Sequence, residues 1–555
     1  MFFGYRSNRR DPSGPLWSLV GCILLLALTT LACSAAAKPD PWQEYRRIEL
    51  RRIEEFGEPK SFYAVYKGSF GPATIRMATW FLGDEMFRAD SDMGIISVSM
   101  GSDGKNGWIQ TKGSKPRVLS STEQDELFSS KYFDSTEYLS DEALTYEIGK
   151  PEKWDGKNVQ VVELTAPEGY RRDLFITDGT WELVGYRSYG TSTTLIKLYE
   201  NEWMGAMAVP HRIAMTLEDL NFKIEMTLVE AEVDIEIDPS LFIPPEGKFT
   251  PLIAAENVRK LELDLHQSAP GTIVISGGAD GKVGEFLLDT GASSSLLDPE
   301  FVSELAIEEE SSFAAVGVAG AEETCIVRLK SGISLGEAGE LRFPGNVGYI
   351  VMNLGAISKA TGVSLFGIIG QDLMERAKVR IDFISGRLTI TPYEDEQFLE
   401  SGGDPLAALF GTNAEPSLGK DEYGIVRIGD LIAVDCMIGK AGKALMIVDT
   451  GFSGSIGLLP AAVEKFNLPV ENSPKFDIVR GVGGVTKLKG RVPKLHVTAF
   501  GAERELENVP VISGPIASVV GGGADGLIGS LFFEGMSIEF DYAAGKIRVI
   551  RRTKK

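Results

Sequence analysis

The sequence predicts a mainly β protein in which an antiparallel sheet with one helix precedes two similar β units. Alternating segments such as SFYAVYKGSF, TIRMATWFL and NVQVVELTA, bounded by Gly, Asp and Asn, carry the period-2 pattern of half-buried strands. Six of the seven tryptophans lie between Trp42 and Trp203, the seventh is Trp17, and none follows, so the first part of the chain has its own composition. Further on, FLLDTGASSSLLDP at 286–299 and MIVDTGFSGSIGLLP at 446–460 repeat one pattern 160 residues apart.

A length of 555 residues exceeds one core and suggests two to four domains. The formal charge of -22 supplies no basic footprint for phosphate backbones, which argues against nucleic-acid partners. His211, His266 and His496 are widely spaced and the four cysteines are scattered, so neither a metal site nor a cofactor is expected.

Arg6, Arg9 and Arg10 precede an apolar run from Leu16 to Ala32 and the small residues CSAAA, the layout of a secretory signal over residues 1–37. Cleavage after Ala37 fits an A-x-A site. TLAC, ending at Cys33, resembles a bacterial lipoprotein signal with Cys33 as the lipidated residue, although Thr30 replaces the usual Leu. An uncleaved anchor is the third reading. Each places the body of the protein outside the cytoplasm, in a bacterial periplasm or attached to a membrane. Within the body, Cys325 and Cys436 either pair or remain free thiols.

The first domain, expected over 38–247, opens with PWQEYRRIELRRIEEFG, an amphipathic helix closed by Gly57. Strands follow, including RRDLFITDGTWELVGYRSYG and NFKIEMTLVEAEVDI, up to LFIPPEG. DGKNGW at 103–108, ITDGTWELVGYR at 176–187, AVPHRI at 208–213 and the terminal FIPP together resemble the LolA-like family. That resemblance implies an antiparallel half-barrel whose concave apolar face holds an acyl chain or a lipoprotein. Read from the residues alone, most of the tryptophans fill a core.

Residues 248–270 read as a linker, 271–391 as the first β unit, 392–420 as a second linker and 421–555 as the second unit. The parallels between the units extend beyond Asp-Thr-Gly. GKVGEFLLD and GKAGKALMIVD precede the aspartates, and FGIIGQDL and DGLIGSLF follow, with Gly370 and Gly529 81 and 80 residues after them. A glycine-rich turn lies between in each case: GVAGAEET at 317–324, with Gly317 and Gly320, and GVGGVTKL at 481–488, with Gly481, Gly483 and Gly484. Such agreement marks an internal duplication.

A single Asp-Thr-Gly is weak evidence and most often a turn after a buried strand. Two copies in matching contexts are specific. Residues 271–550 resemble two retropepsin-type lobes, the aspartic protease class in which each lobe supplies one such motif. The resemblance implies all-β lobes about a pseudo-twofold axis, with Asp289 and Asp449 as the catalytic pair. Close carboxylates cannot both ionise comfortably, so they share one proton and supply both base and acid. Thr290 and Thr450 are expected to bond across the interface, and Gly291 and Gly451 to turn the backbone beside the carboxylates. The glycine-rich turns read either as flaps or as ordinary hairpin turns. Ala292 and Phe452 stand where a hydroxyl often lowers the dyad's pKa, which predicts activity nearer neutral unless Ser293 or Ser453 compensates.

These features point to an exported aspartic endopeptidase acting on peptides or proteins, with both lobes paired inside one monomeric chain. The alternative is a non-catalytic periplasmic carrier or binding protein that uses the first domain. Serine catalysis lacks a plausible histidine, and a glycosidase fits the duplicated Thr-Gly context poorly.

Overall fold

The computed structural model describes residues 39–551, apart from 71–72, 84, 112–115, 120, 191–192, 219–221, 246–250, 267–270, 318–319, 337–338, 346, 394–417, 473–477, 482–483 and 514–522. The expected signal with Cys33, most of the expected linker 392–420, and Gly483 lie outside the described residues.

The helix Pro41–Phe56 starts where Asp40 accepts hydrogen bonds from the Trp42 and Gln43 N–H groups at 2.9 and 3.2 Å. It stops at Gly57, whose φ of 81° suits a residue without Cβ. Its buried face, Trp42 and Tyr45, packs with Phe133, Tyr138, Leu139, Val162, Leu164, Leu174 and Ile176. Phe133 comes from a second helix, Ser121–Asp134. Alternation along Lys157–Thr165 and Arg171–Thr177 sends Val161 and Phe175 to the opposite face, where Trp154 stacks on Phe175 at 4.0 Å.

These strands belong to a 14-stranded antiparallel sheet, curled as a half-barrel, that accounts for residues 61–233. Ser61–Phe70 pairs on one side with Ala73–Leu82 and on the other with Phe222–Val233. The sheet is therefore two meanders joined along their first and last strands. Two stretches set apart in the sequence meet here: the fully buried Trp108 of DGKNGW donates its indole N–H to the Phe242 carbonyl of LFIPP at 2.8 Å.

Three further sheets follow among the described residues. A ten-stranded sheet takes its strands from Ile253–Ala254 through Leu365–Ile369, and an eight-stranded sheet from Val426–Ile428 through Gly526–Gly529. A six-stranded sheet joins them: Ala377–Asp382 pairs antiparallel with Met536–Asp541, placing Val379 opposite Phe540 and Ile381 opposite Ile538. Three of those four side chains are fully buried and Val379 nearly so, which welds the two halves through one core.

The stretch expected as a linker over 248–270 is partly structural. Ile253–Ala254 pairs with Leu341–Arg342, and Leu261–Asp264 pairs with Arg387–Pro392, because Leu252, Leu261 and Leu265 are buried in the same core. Cys325 and Cys436 are both free thiols, the first half-buried in a strand and the second buried.

Candidate functional site

Each Asp-Thr-Gly follows a central strand. Lys282–Leu288 lies parallel to Leu365–Ile369, with Leu288 opposite Ile369, and Asp289 N–H donates to the Ile369 carbonyl at 3.0 Å. Gly442–Asp449 lies parallel to Gly526–Gly529, with Val448 opposite Ile528 and Asp449 opposite Gly529. The apolar-apolar-Gly segments thus stand directly beside the aspartate strands.

Their terminal glycines are required by contact. A Cβ at Gly370 would lie 2.9 Å or less from backbone atoms of Ser294 and Ala292, and one at Gly529 2.3 Å or less from the Gly454 and Phe452 carbonyl oxygens. The loop after each aspartate passes directly over the glycine, and hydrogen bonds fasten it there. Gln371 N–H donates to the Ala292 carbonyl at 2.8 Å, and Ser530 N–H to the Phe452 carbonyl at 3.0 Å.

The structure brings Asp289 and Asp449 together. A Cβ on Gly291 would sit 2.4 Å from the Asp449 carboxyl carbon, and one on Gly451 2.3 Å from that of Asp289. Only glycine leaves room for the opposite carboxylate. The two threonines, both fully buried, lock the arrangement reciprocally. Thr290 N–H donates to Thr450 Oγ1 and Thr450 N–H to Thr290 Oγ1, each at 2.9 Å. Thr290 Oγ1 donates to the Val448 carbonyl at 2.6 Å, and Thr450 Oγ1 to the Leu288 carbonyl at 2.9 Å. Each hydroxyl is satisfied as donor and as acceptor, so neither can turn away without leaving a buried polar group unpaired.

The carboxylates receive backbone N–H groups: Gly291 N–H on Asp289 Oδ1 and Phe452 N–H on Asp449 Oδ1, both at 2.8 Å. These bonds pull the pKa values down, but burial outweighs them. Burial raises the Asp289 carboxyl above its ordinary value, and burial together with the Asp289 charge lifts Asp449 well above its own. Two buried carboxyls this close titrate as a pair rather than singly. Among the described hydrogen bonds, the Ser293 and Ser453 hydroxyls do not reach either carboxylate.

Residues that the motif reading passes over complete the site. Gln371 Nε2 donates to the Thr290 carbonyl at 3.0 Å, and Ser530 Oγ to the Thr450 carbonyl at 2.7 Å. Ser295 Oγ accepts the Gly370 N–H at 2.9 Å and donates to Asp372 Oδ1 at 2.7 Å, beneath the first loop. The signal for Gln371 and Ser530 is a polar residue directly after a buried Gly in both IIGQ and LIGS.

Both glycine-rich turns are tips of β-hairpins. Ile307–Gly317 pairs with Gly320–Leu329, with Gly317 opposite Gly320. Ile478–Gly481 pairs with Gly484–Ala499, with Gly481 opposite Gly484. Ala315 of the first hairpin, Ala292 beside Asp289, and Leu296, Ile350 and Ile368 share one apolar cluster, so this hairpin is continuous with the wall next to the dyad. Among the described residues, no cluster of His, Cys, Asp and Glu is arranged to hold a metal ion.

Residues 253–373 match the family model described as aspartyl protease. No curated protein matches the chain. Among solved structures, the chain is similar to a Vibrio parahaemolyticus domain described as an outer membrane lipoprotein-sorting protein. Identity is 12%, the alignment covers 36% of this chain and 97% of that one, and the TM-score is 0.26. Similarity to a DUF1329 family protein from Desulfovibrio piger is 12% identity over 37% and 98% of the two chains, TM-score 0.27. For a LolA superfamily protein from Nitrosomonas europaea it is 12% over 36% and 96%, TM-score 0.26.

Proposed function

We propose that the protein is an aspartic endopeptidase whose single active site is shared between two lobes of one chain, each supplying one aspartate. The observation that carries this reading is the reciprocal placement of each carboxylate against the other motif's glycine, held by the Thr290–Thr450 exchange. A duplicated turn with only a structural role has no need to place two acidic groups in contact, because burying them together costs free energy that a purely structural turn avoids.

The proposed reaction is hydrolysis of a peptide bond by water positioned between the carboxyls. The ionised carboxylate removes a proton from water as the oxygen attacks the carbonyl carbon, and the protonated partner donates to the carbonyl oxygen. The resulting diol collapses as the carboxyl that took the water proton gives it to the leaving nitrogen, the C–N bond breaks, and a diol hydroxyl returns a proton to the other carboxylate, which restores the singly protonated dyad. Backbone N–H groups of Gly291 and Phe452 hold the carboxylates in place throughout. The flanking hairpins are read as flaps that close on the substrate and exclude water.

The Arg-flanked apolar leader supports action outside the cytoplasm, on peptide or protein substrates met after export. The decisive experiment is cleavage of a denatured protein by residues 38–555, beside Asp289→Asn and Asp449→Asn. Each substitution should lower kcat/KM by at least about 10³-fold. Equal activity in wild type and both variants would overturn the reading.

A further inference from the structure

The N-terminal sheet meets the rest of the chain in several places: Arg117 Nε donates to Asp430 Oδ1 at 3.0 Å, Ala73–Leu82 lies along the hairpin strand Ile307–Gly317, and one turn enters the apolar cluster against which Ala292 packs. Between the strands Met86–Asp92 and Ser97–Asp103 the chain reverses at Met93–Ile96. The turn is built for a fixed shape. Asp92 Oδ1 accepts from Gly94 N–H at 3.0 Å and from Ser97 Oγ at 3.2 Å, Met93 N–H donates to the Ile96 carbonyl at 2.9 Å, and Gly94 has a φ of 86°.

Its apex residue Ile95 is 7% exposed although it sits on a hairpin tip, because it is buried in the other domain. It belongs to the cluster containing Leu287, Leu296, Ala315, Ile326, Ile350 and Ile368, with Ile96 and Ala292 packed against that cluster. Ile95 Cγ2 lies 3.0 Å from where a Cβ on Gly348 would be, so Gly348 makes room for it. Alongside, Ser311 of the hairpin strand Ile307–Gly317 contacts the turn: its Oγ lies 3.5 Å from the Met93 carbonyl oxygen, and a Cβ on Gly94 would meet it at 2.9 Å. A cleft of about 490 Å³ runs along this seam, lined by Thr74, Arg76, Asp92, Glu310 and Ser311 among others.

The flap hairpin of the first half is thus not free on its outer side. Ile307–Gly317 is the last strand of its ten-stranded sheet, and what it leans on is the N-terminal sheet. A flap position that depends on an apolar contact from another domain is adjusted by whatever moves that domain.

We propose that the N-terminal domain is a working part of the peptidase site: its Met93–Ile96 turn holds the first flap hairpin against the wall beside Ala292, with Ile95 as the positioning residue. This rests on the endopeptidase reading for its consequence, substrate affinity, but the contact itself can be tested without cleavage.

The test uses the full chain with Ile95→Ala and the conservative Ile95→Val. Cys325 lies in the second strand of the hairpin, opposite Ser312, and burial holds its thiol up at about 11, so alkylation in the seated hairpin is slow. Alkylation of Cys325, read by mass spectrometry, should speed up about tenfold in Ile95→Ala and stay near wild type in Ile95→Val, an opening equilibrium shift of ~1.4 kcal/mol. Cys436, buried in the second half, should be unchanged, and equal acceleration at both cysteines, the mark of general unfolding rather than release of the hairpin, overturns the proposal. In peptide cleavage, KM should rise about tenfold with kcat within about twofold, because the dyad is untouched. Unchanged Cys325 labelling overturns the proposal whether or not the protein cleaves. Faster labelling with unchanged KM, in a protein whose activity is lost in Asp289→Asn, overturns it while leaving the endopeptidase reading intact. A wild type that never cleaves sinks that reading, and labelling alone then decides whether the turn holds the hairpin.

Discussion

After Gly370 the first half of the site continues with Gln371 and Asp372, whereas after Gly529 the second continues with Ser530 and Leu531. The residue that follows is fastened in the same way in both. The residue after the glycine donates its N–H to the carbonyl three residues beyond the aspartate, and its side chain donates to the carbonyl of the motif threonine. A long amide performs in one half what a short hydroxyl performs in the other. One position further, the first half seats a carboxyl on Ser295 and the second has an apolar side chain. The two glycine-rich hairpins differ in support as well: the first leans on the N-terminal sheet, and the strand Ile478–Gly481 of the second lies against the helix Gly355–Thr361 of the first half. What the halves share is what the backbone must do to present a carboxylate. What they do not share is how the space behind it is filled.

If that division is right, changes to shared elements should act equally in the two halves and changes to unshared ones should not. Asp289→Asn and Asp449→Asn should therefore reduce kcat/KM by the same order, and a difference of more than about 100-fold would show that one half could act alone. Thr290→Val and Thr450→Val each strand a buried N–H and a buried carbonyl. Each should cost about 2–4 kcal/mol of stability by urea unfolding, within about 1 kcal/mol of the other. The double variant should cost less than the sum, since both belong to one network.

Asp372 gives the asymmetric case. Burial pushes its carboxyl up to about 6 despite the Ser295 hydroxyl. Because the folded value lies above the unfolded one, the folded state gains from the proton at low pH and loses that gain as pH rises from about 4 through 6. Asp372→Asn keeps an acceptor for Ser295 without the charge, so it should be relatively more stable at pH 7 than at pH 4, by up to about 2 kcal/mol. Thermal unfolding at the two pH values checks this, and a pH-independent difference would contradict it. The smallest effect concerns the rate profile. Both dyad carboxyls are raised by burial, so the shared proton is held to higher pH than an ordinary carboxyl would hold it, and activity should persist toward neutral pH and fall on the alkaline side as that proton leaves. An optimum below about pH 3 would show that the dyad lacks the raised affinity assigned to it.

Much of this was legible in the residues. The helix ending at Gly57, the strands Ser61–Phe70, Ala73–Leu82 and Lys157–Thr165, and the placement of glycine-rich turns on hairpins all follow from local periodicity and turn chemistry. The Ser295–Asp372 pair was not legible, because the two residues are 77 positions apart and each is ordinary on its own. The strand Leu261–Asp264 was also missed: four residues are too short for a periodicity signal, and its partner lies more than a hundred residues away.

The sequence by itself determined that two aspartates would each stand on a tight turn after a buried strand, since the apolar run, the Thr and the Gly are local requirements of that turn. Only the tertiary structure decided that the two turns face each other, that each glycine makes room for the opposite carboxylate, and that Ile95 is buried in the cluster against which Ala292 packs rather than exposed on a hairpin tip. The reason is physical: local backbone preferences extend over a few residues, whereas contact between parts of the chain 160 or more residues apart is settled by which apolar surfaces can be buried together.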